Sequence, residues 1–183
     1  MAGFTLTEVV IVMLVLGILV SIGTPTFKYV TTSNRISNEI NGLLGDMQFA
    51  RSVAVKQGQT VTVCSSSNST STSPQCNTGG SAGIWQTGWI VFLDTNNNGV
   101  VDNGEQVIRI QPAFTSTDTL ISSVGFGAAK FNRMGYAPTT YPTNLIISLN
   151  SAPAITSWTR CLNVTPIGYA TTEQYGAGTP ACQ

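Results

Sequence analysis

The hydrophobic pattern divides the chain into three stretches. From Phe4 to Thr24 (FTLTEVVIVMLVLGILVSIGT) it is apolar almost throughout and holds one ionisable side chain, Glu8. As a helix rising about 1.5 Å per residue this run reaches about 30 Å, the thickness of a bilayer's hydrocarbon core, which predicts a single membrane span. Pro25 follows and cannot donate its backbone N–H, so a bend is expected there. Next, Ile36, Ile40, Leu43, Met47, Ala50 and Ala54 recur at spacings of three and four, while Asn34, Arg35, Ser37, Asn38, Glu39, Asn41 and Asp46 occupy the other positions. That stripe predicts an amphipathic helix to about Gln57 that packs on a sheet. A coiled-coil seam would need more sustained heptads than this.

Beyond Gln57 the periodicity shortens to two. Thr60 to Cys64 alternates as a strand, and the polar run Ser65 to Thr72 reads as an exposed loop. Ile84 to Leu93 (IWQTGWIVFL) is the strongest strand signal, rich in aromatic and β-branched residues, and Gln106 to Ile110 answers it after a turn. Further strands are expected at 130–132, 145–149 and 159–164. The expected fold class is α+β: a long N-terminal helix, its first half transmembrane, packed on an antiparallel β-sheet domain.

Composition narrows the chemistry. The 183 residues include 8 Lys+Arg, 8 Asp+Glu and no histidine. Zero net charge gives no long-range pull toward nucleic acid or anionic lipid. Without histidine there is no histidine-based acid, base or nucleophile pair, and no enzyme activity is expected. Cys64, Cys76, Cys161 and Cys182 form an even set without a C-x-x-C spacing, which favours two disulfides in an oxidising compartment over a metal site. Three connectivities are possible. Cys64–Cys76 and Cys161–Cys182 are preferred, because each closes a short Ser- or Gly-rich loop.

Gly3-Phe4-Thr5-Leu6-Thr7-Glu8 ahead of the apolar run resembles the class III signal of type IV pilins and type II secretion pseudopilins. The resemblance implies that a membrane prepilin peptidase cuts after Gly3 and N-methylates the new terminus at Phe4. It implies that Glu8 meets a neighbouring subunit's terminal amine during assembly, and that Pro25 is the proline many pilins carry in this helix. Met1-Ala2-Gly3 lacks the basic residues of the family's leaders, and the nearest cations, Lys28 and Arg35, lie beyond the apolar run. Positive charge alone would therefore orient the span the other way; the signal and the cysteines place the head in the periplasm, behind a leader that is short or truncated.

The middle of the chain sharpens the resemblance. Gln48-Phe49-Ala50-Arg51-Ser52-Val53-Ala54, a strand ending in Cys64, Gly88-Trp89-Ile90-Val91-Phe92-Leu93-Asp94, and the return Glu105-Gln106-Val107-Ile108-Arg109 are similar to the FimT/FimU and GspH group of minor pilins. The implied organisation is a leader at 1–3, a filament-core helix at 4–24, an amphipathic half at 25–57 and a β-rich head at 58–183, in the type IV pilin-like fold. The implied function is a minor pilin near the tip that helps prime assembly. Its partners would be the prepilin peptidase, other minor pilins, the major pilin and the inner membrane, with later display on the cell-surface pilus. An H-type pseudopilin of type II secretion is the structural alternative.

Two further motifs bear on ligands. Asp94, Asn96, Asn98, Gly99, Asp102 and Glu105 fit a calcium-loop pattern of alternating oxygen ligands, a turn glycine and a terminal carboxylate. The flanks read as strands, so a plain hairpin turn is the preferred reading and calcium the candidate cofactor, with no other cofactor expected. DNA uptake is the rival from another class. FimT-like DNA receptors carry a basic Gly-Arg-x-Arg element, whereas Gly168-Tyr169-Ala170-Thr171 here has no arginine. Lys130, Arg133 and Arg160 would make only a small patch, so nucleic acid is not an expected partner.

Overall fold

The computed structural model describes residues 3–122, 125–137, 144–177 and 182, without the side chains of residues 22–26. It contains one long helix, α1 (Leu6–Gln57, 52 residues), and eight strands. Thr5 starts the helix: its hydroxyl accepts the Glu8 backbone N–H at 3.3 Å, the reach expected of a Thr-x-x-Glu capping sequence. Gly58 ends it at φ 68°, donating its N–H to the Ala54 carbonyl at 2.9 Å. A left-handed residue is the usual stop, and glycine adopts it without a Cβ penalty.

The chain forms two compact units, residues 1–35 and residues 36–183. In the first, the large apolar side chains from Leu6 to Val20 are all about half or more exposed, Leu6 reaching 81 %. The helix assignment continues through Pro25, whose side chain lies outside the described residues, as does the bend expected from it.

In the second unit the predicted stripe is the spine of the core. Ile36, Ile40, Leu43, Met47, Ala50 and Ala54 are buried together with residues from two antiparallel sheets. The first sheet has the order β3-β2-β1-β5, from β1 (Val61–Ser65), β2 (Trp89–Leu93), β3 (Val107–Gln111) and β5 (Ala128–Phe131). The second has the order β4-β6-β7-β8, from β4 (Thr119–Ser122), β6 (Leu145–Asn150), β7 (Arg160–Val164) and β8 (Ala170–Gln174). The expected single sheet is thus two. They are stitched by a bridge between Ile84 and Ile121 and by the Trp85 N–H on the Leu120 carbonyl at 2.8 Å.

The same stitch corrects the strand expected from Ile84 to Leu93. Only Trp89–Leu93 is strand, because Gly88 turns at φ 109° with its Cα against the Gln111 carbonyl, leaving no room for a Cβ. Both faces of the first sheet are covered. Val61, Val63, Trp89 and Val91 face the helix side, whereas Cys64, Ile90 and Phe92 form a second cluster with Cys76, Val101 and Val107.

Two polar segments also depart from expectation. Ser66 and Ser69, within the run read as an exposed loop, are buried; Ser66 donates its hydroxyl to the Gln75 carbonyl at 2.7 Å, and the Gln75 N–H reaches Asn68 Oδ1 at 2.9 Å. Asp46, placed on the polar face of the helix, is buried at its edge beside Leu43 and Ala50. Its carboxylate accepts the Trp89 indole N–H at 2.8 Å and pairs with Arg109 at 2.7 Å. A bulge in β3 makes this possible. Val107 lies opposite Phe92 on the outer face, and the register then shifts so that Arg109 lies opposite Val91 on the helix-facing side. The Arg109 guanidinium comes to 3.7 Å from the centroid of the Phe49 ring.

Candidate functional site

The N-terminal helix offers a surface rather than a pocket. Apolar side chains point in every direction from Leu6 to Val20 and remain exposed among the described residues, an apolar surface far larger than a lone water-exposed helix usually carries. Gly3, Phe4 and Glu8 are exposed at its start, with Glu8 in the first turn, where a carboxylate is favoured by the helix dipole. Among the described residues no helix is long and apolar enough to cross a membrane.

Two disulfides fasten the head. Cys64–Cys76, with Cα atoms 5.5 Å apart, closes the Ser-rich loop onto β1. Cys161–Cys182, at 5.6 Å, ties the buried tail residue to β7. The Gly176 N–H on the Cys182 carbonyl and the Cys182 N–H on the Ala177 carbonyl, both 2.9 Å, complete that closure.

The 94–105 loop connects β2 to β3 and is internally bonded. Asp94 is fully buried; its Oδ2 accepts the Thr62 hydroxyl at 2.7 Å and the Gly99 N–H at 2.9 Å. Asn96 and Asn98 each donate a side-chain amide to Asp102 Oδ2 at 2.7 Å. Glu105 spans the loop, with Oε1 on the Thr95 N–H at 2.7 Å and Oε2 on the Asp102 N–H at 3.1 Å. As placed, the three carboxylates serve amide groups: among the described residues no three acidic, cysteine or histidine side chains gather as a metal cage.

The three cations considered for DNA divide between the two sheets and a turn. Lys130 lies on β5 of the first sheet and donates to the Asn97 carbonyl at 3.0 Å, beside the acidic loop. Arg160 lies on β7 of the second sheet and donates to the Ser157 and Thr159 carbonyls, each at 3.0 Å. Arg133 is exposed in the turn after β5.

Another surface escaped sequence reasoning. Two turns, around Gly135 and Gly168, meet the last turns of α1, where Arg51 Nε donates to the Gly135 carbonyl at 3.0 Å. They carry exposed Met134, Tyr136, Ile167 and Tyr169, near exposed Val55. A shallow groove there is lined by Gln48, Arg51, Val55 and Tyr169. Nothing in the local pattern joins these segments, because turn residues far apart in the chain carry no shared periodicity.

Comparison with known proteins gives a family match to "GspH: Type II transport protein GspH" over residues 39–168. Among curated protein sequences none matches significantly. Two crystal structures of the type IV minor pilin FimU from Pseudomonas aeruginosa share the fold. One aligns at TM-score 0.59 and 18 % identity, covering 84 % of this chain and 99 % of that one. The other, in a second crystal form, aligns at TM-score 0.54 and 19 % identity, covering 82 % and 99 %.

Proposed function

Because the chain belongs to the GspH family of type II transport proteins and shares the fold of the minor pilin FimU, we propose that it is a minor pilin that is held in the inner membrane and then built into a type IV pilus. The observation that carries this reading is the first unit of α1: apolar and exposed on every side from Leu6 to Val20, with a carboxylate, Glu8, in its first turn. Such a segment is served first by lipid and then by the equivalent helices of neighbouring subunits. Cleavage after Gly3 frees the Phe4 amine, and Glu8 of one subunit pairs with that amine on the next. In an apolar filament core both charges need this partner. The head supplies lateral contacts, and the exposed Met134, Tyr136, Ile167 and Tyr169 are the apolar surface available for them. Within that reading it sits near the pilus tip and helps prime assembly, as the signal and mid-chain motifs shared with the FimT/FimU group imply.

The family description supports a second reading, an H-type pseudopilin of type II secretion. Deleting the gene separates the two. Loss of surface pili with normal export of secreted proteins is the expected result, whereas intact pili with failed export assigns the chain to secretion. Complementation with Glu8→Ala should restore the processed protein in the membrane but not its presence in sheared filaments. Normal incorporation of that variant would remove the proposed subunit contact. For DNA uptake, two of the cations considered, Lys130 and Arg160, lie on different sheets.

A further inference from the structure

The Asp94 carboxylate is an acidic group of the head whose chemistry the pilin reading leaves unused. Asp94 is 0 % exposed, and although Oδ2 accepts two hydrogen bonds, Oδ1 has neither solvent nor a hydrogen-bond partner. A buried carboxylate oxygen without a partner is costly unless something positive reaches it. The carboxylate is pressed against the loop by the Gly99 N–H, and the loop then presents oxygen at each position a hard cation uses. Asn96, Asn98, the Val100 carbonyl, Asp102 and Glu105 follow Asp94 at the third, fifth, seventh, ninth and twelfth places, with Gly99 at the sixth. Val101, at the eighth place between Val100 and Asp102, packs against the apolar cluster of Cys64, Ile90 and Phe92, which pins the loop to the outer face of the sheet.

We propose that the 94–105 loop is a calcium site in the head, with Asp94 Oδ1 as its fixed first ligand. Side-chain rotations complete it. Asn96 Oδ1 accepts the Asn98 N–H at 3.1 Å and Asn98 Oδ1 accepts the Val100 N–H at 2.8 Å, and each retains a second lone pair. The ion displaces the two amide donors from Asp102 and draws in Glu105, whose bonds to the Thr95 and Asp102 N–H groups it replaces. Three carboxylates lie in the loop with the Lys130 ammonium at the Asn97 carbonyl, so the loop carries the net negative charge a divalent ion requires. Seven oxygens, two of them from a bidentate Glu105, suit calcium, whereas magnesium demands a stricter six-coordinate shell.

The test uses the full chain in detergent, stripped with chelator, and titrated by calorimetry with calcium chloride and, in parallel, magnesium chloride. A saturable calcium heat with Kd of about 1 mM or tighter is expected, as for extracellular calcium modules. At a tenfold excess over Kd the melting temperature should rise by about 3–6 °C. Glu105→Gln keeps an acceptor for the loop amides and should weaken calcium binding at least about tenfold by removing the bidentate carboxylate. Absence of saturable heat at about 5 mM calcium, well above that range, would overturn the proposal. So would a Glu105→Gln variant that binds as tightly as the parent, or equal responses to the two metals.

Discussion

Asp46 joins helix to sheet, and removing its carboxylate tests how that joint is stabilised. In Asp46→Ala the indole N–H of Trp89, a residue only 1 % exposed, loses its acceptor at 2.8 Å. Burying an unpartnered donor costs about 1–3 kcal/mol. Arg109 also loses its carboxylate at 2.7 Å, but its side chain is 47 % exposed, so solvent screening holds that contribution to about 0–1 kcal/mol. The expected loss is therefore about 1–4 kcal/mol, or a fall in melting temperature of roughly 2–16 °C for a chain of this size. Arg109→Ala leaves the indole bonded and forfeits the screened pair and the stacking on Phe49, each worth about 1 kcal/mol or less. Guanidinium unfolding of the full chain in detergent, followed by tryptophan fluorescence and circular dichroism, gives both values. Trp89→Phe removes the donor itself, so the Asp46→Ala/Trp89→Phe double variant should lose less than the sum of its parts, by at least about 0.5 kcal/mol. If Asp46→Ala proves no more harmful than Arg109→Ala and the double variant is additive, the buried indole bond is not what stabilises the joint.

Gly88 and Gly104 form a matched pair, at φ 109° and 96°, but a Cβ on Gly88 would lie 2.6 Å from the Gln111 carbonyl, whereas one on Gly104 meets nothing. Both alanine variants carry the backbone cost of about 1–3 kcal/mol, and Gly88→Ala should be clearly the worse in thermal melting; equal losses would mean that the backbone approach relaxes freely. Cys182→Ser opens a bridge spanning 21 residues and should cost about 3 kcal/mol, while freeing the segment around Tyr175 to Ala177 for limited proteolysis. A protease-resistant tail with an unchanged melting temperature would show that the two hydrogen bonds between Cys182 and residues 176–177 hold it unaided.

Legibility along the chain followed the range of the information. The buried stripe from Ile36 to Ala54 and the helix end at Gln57 were readable because a helix repeats its contacts every three or four residues. The expected cores of β1, β3, β6 and β7 fell within a residue or so of the observed strands, since their β-branched residues alternate or run together. β4 and β8 were missed. Thr119–Ser122 is only four residues long, and Ala170–Gln174 is a polar strand at the end of its sheet with mostly accessible side chains. The division into two sheets was equally hidden, because the Trp85–Leu120 and Ile84–Ile121 contacts that join them link segments more than thirty residues apart.

The candidate sites show the same division between local pattern and distant partner. Glu8 and the 94–105 loop could be recognised because their defining residues sit at fixed offsets within one short segment. What the loop's chemistry rests on is not local: Thr62 on β1 fills one oxygen of Asp94, and Lys130 on β5 approaches from the other side of that strand. Asp46 makes the point in reverse. By position it belongs to the polar face of an amphipathic helix, yet a bulge sixty residues later turns Arg109 toward it and makes a surface carboxylate into a buried joint. The exposed first half of the helix is the limiting case, for its apolar residues point in all directions and stay uncovered among the described residues. There the pattern was wholly legible, and the assembly proposed above is what would cover it.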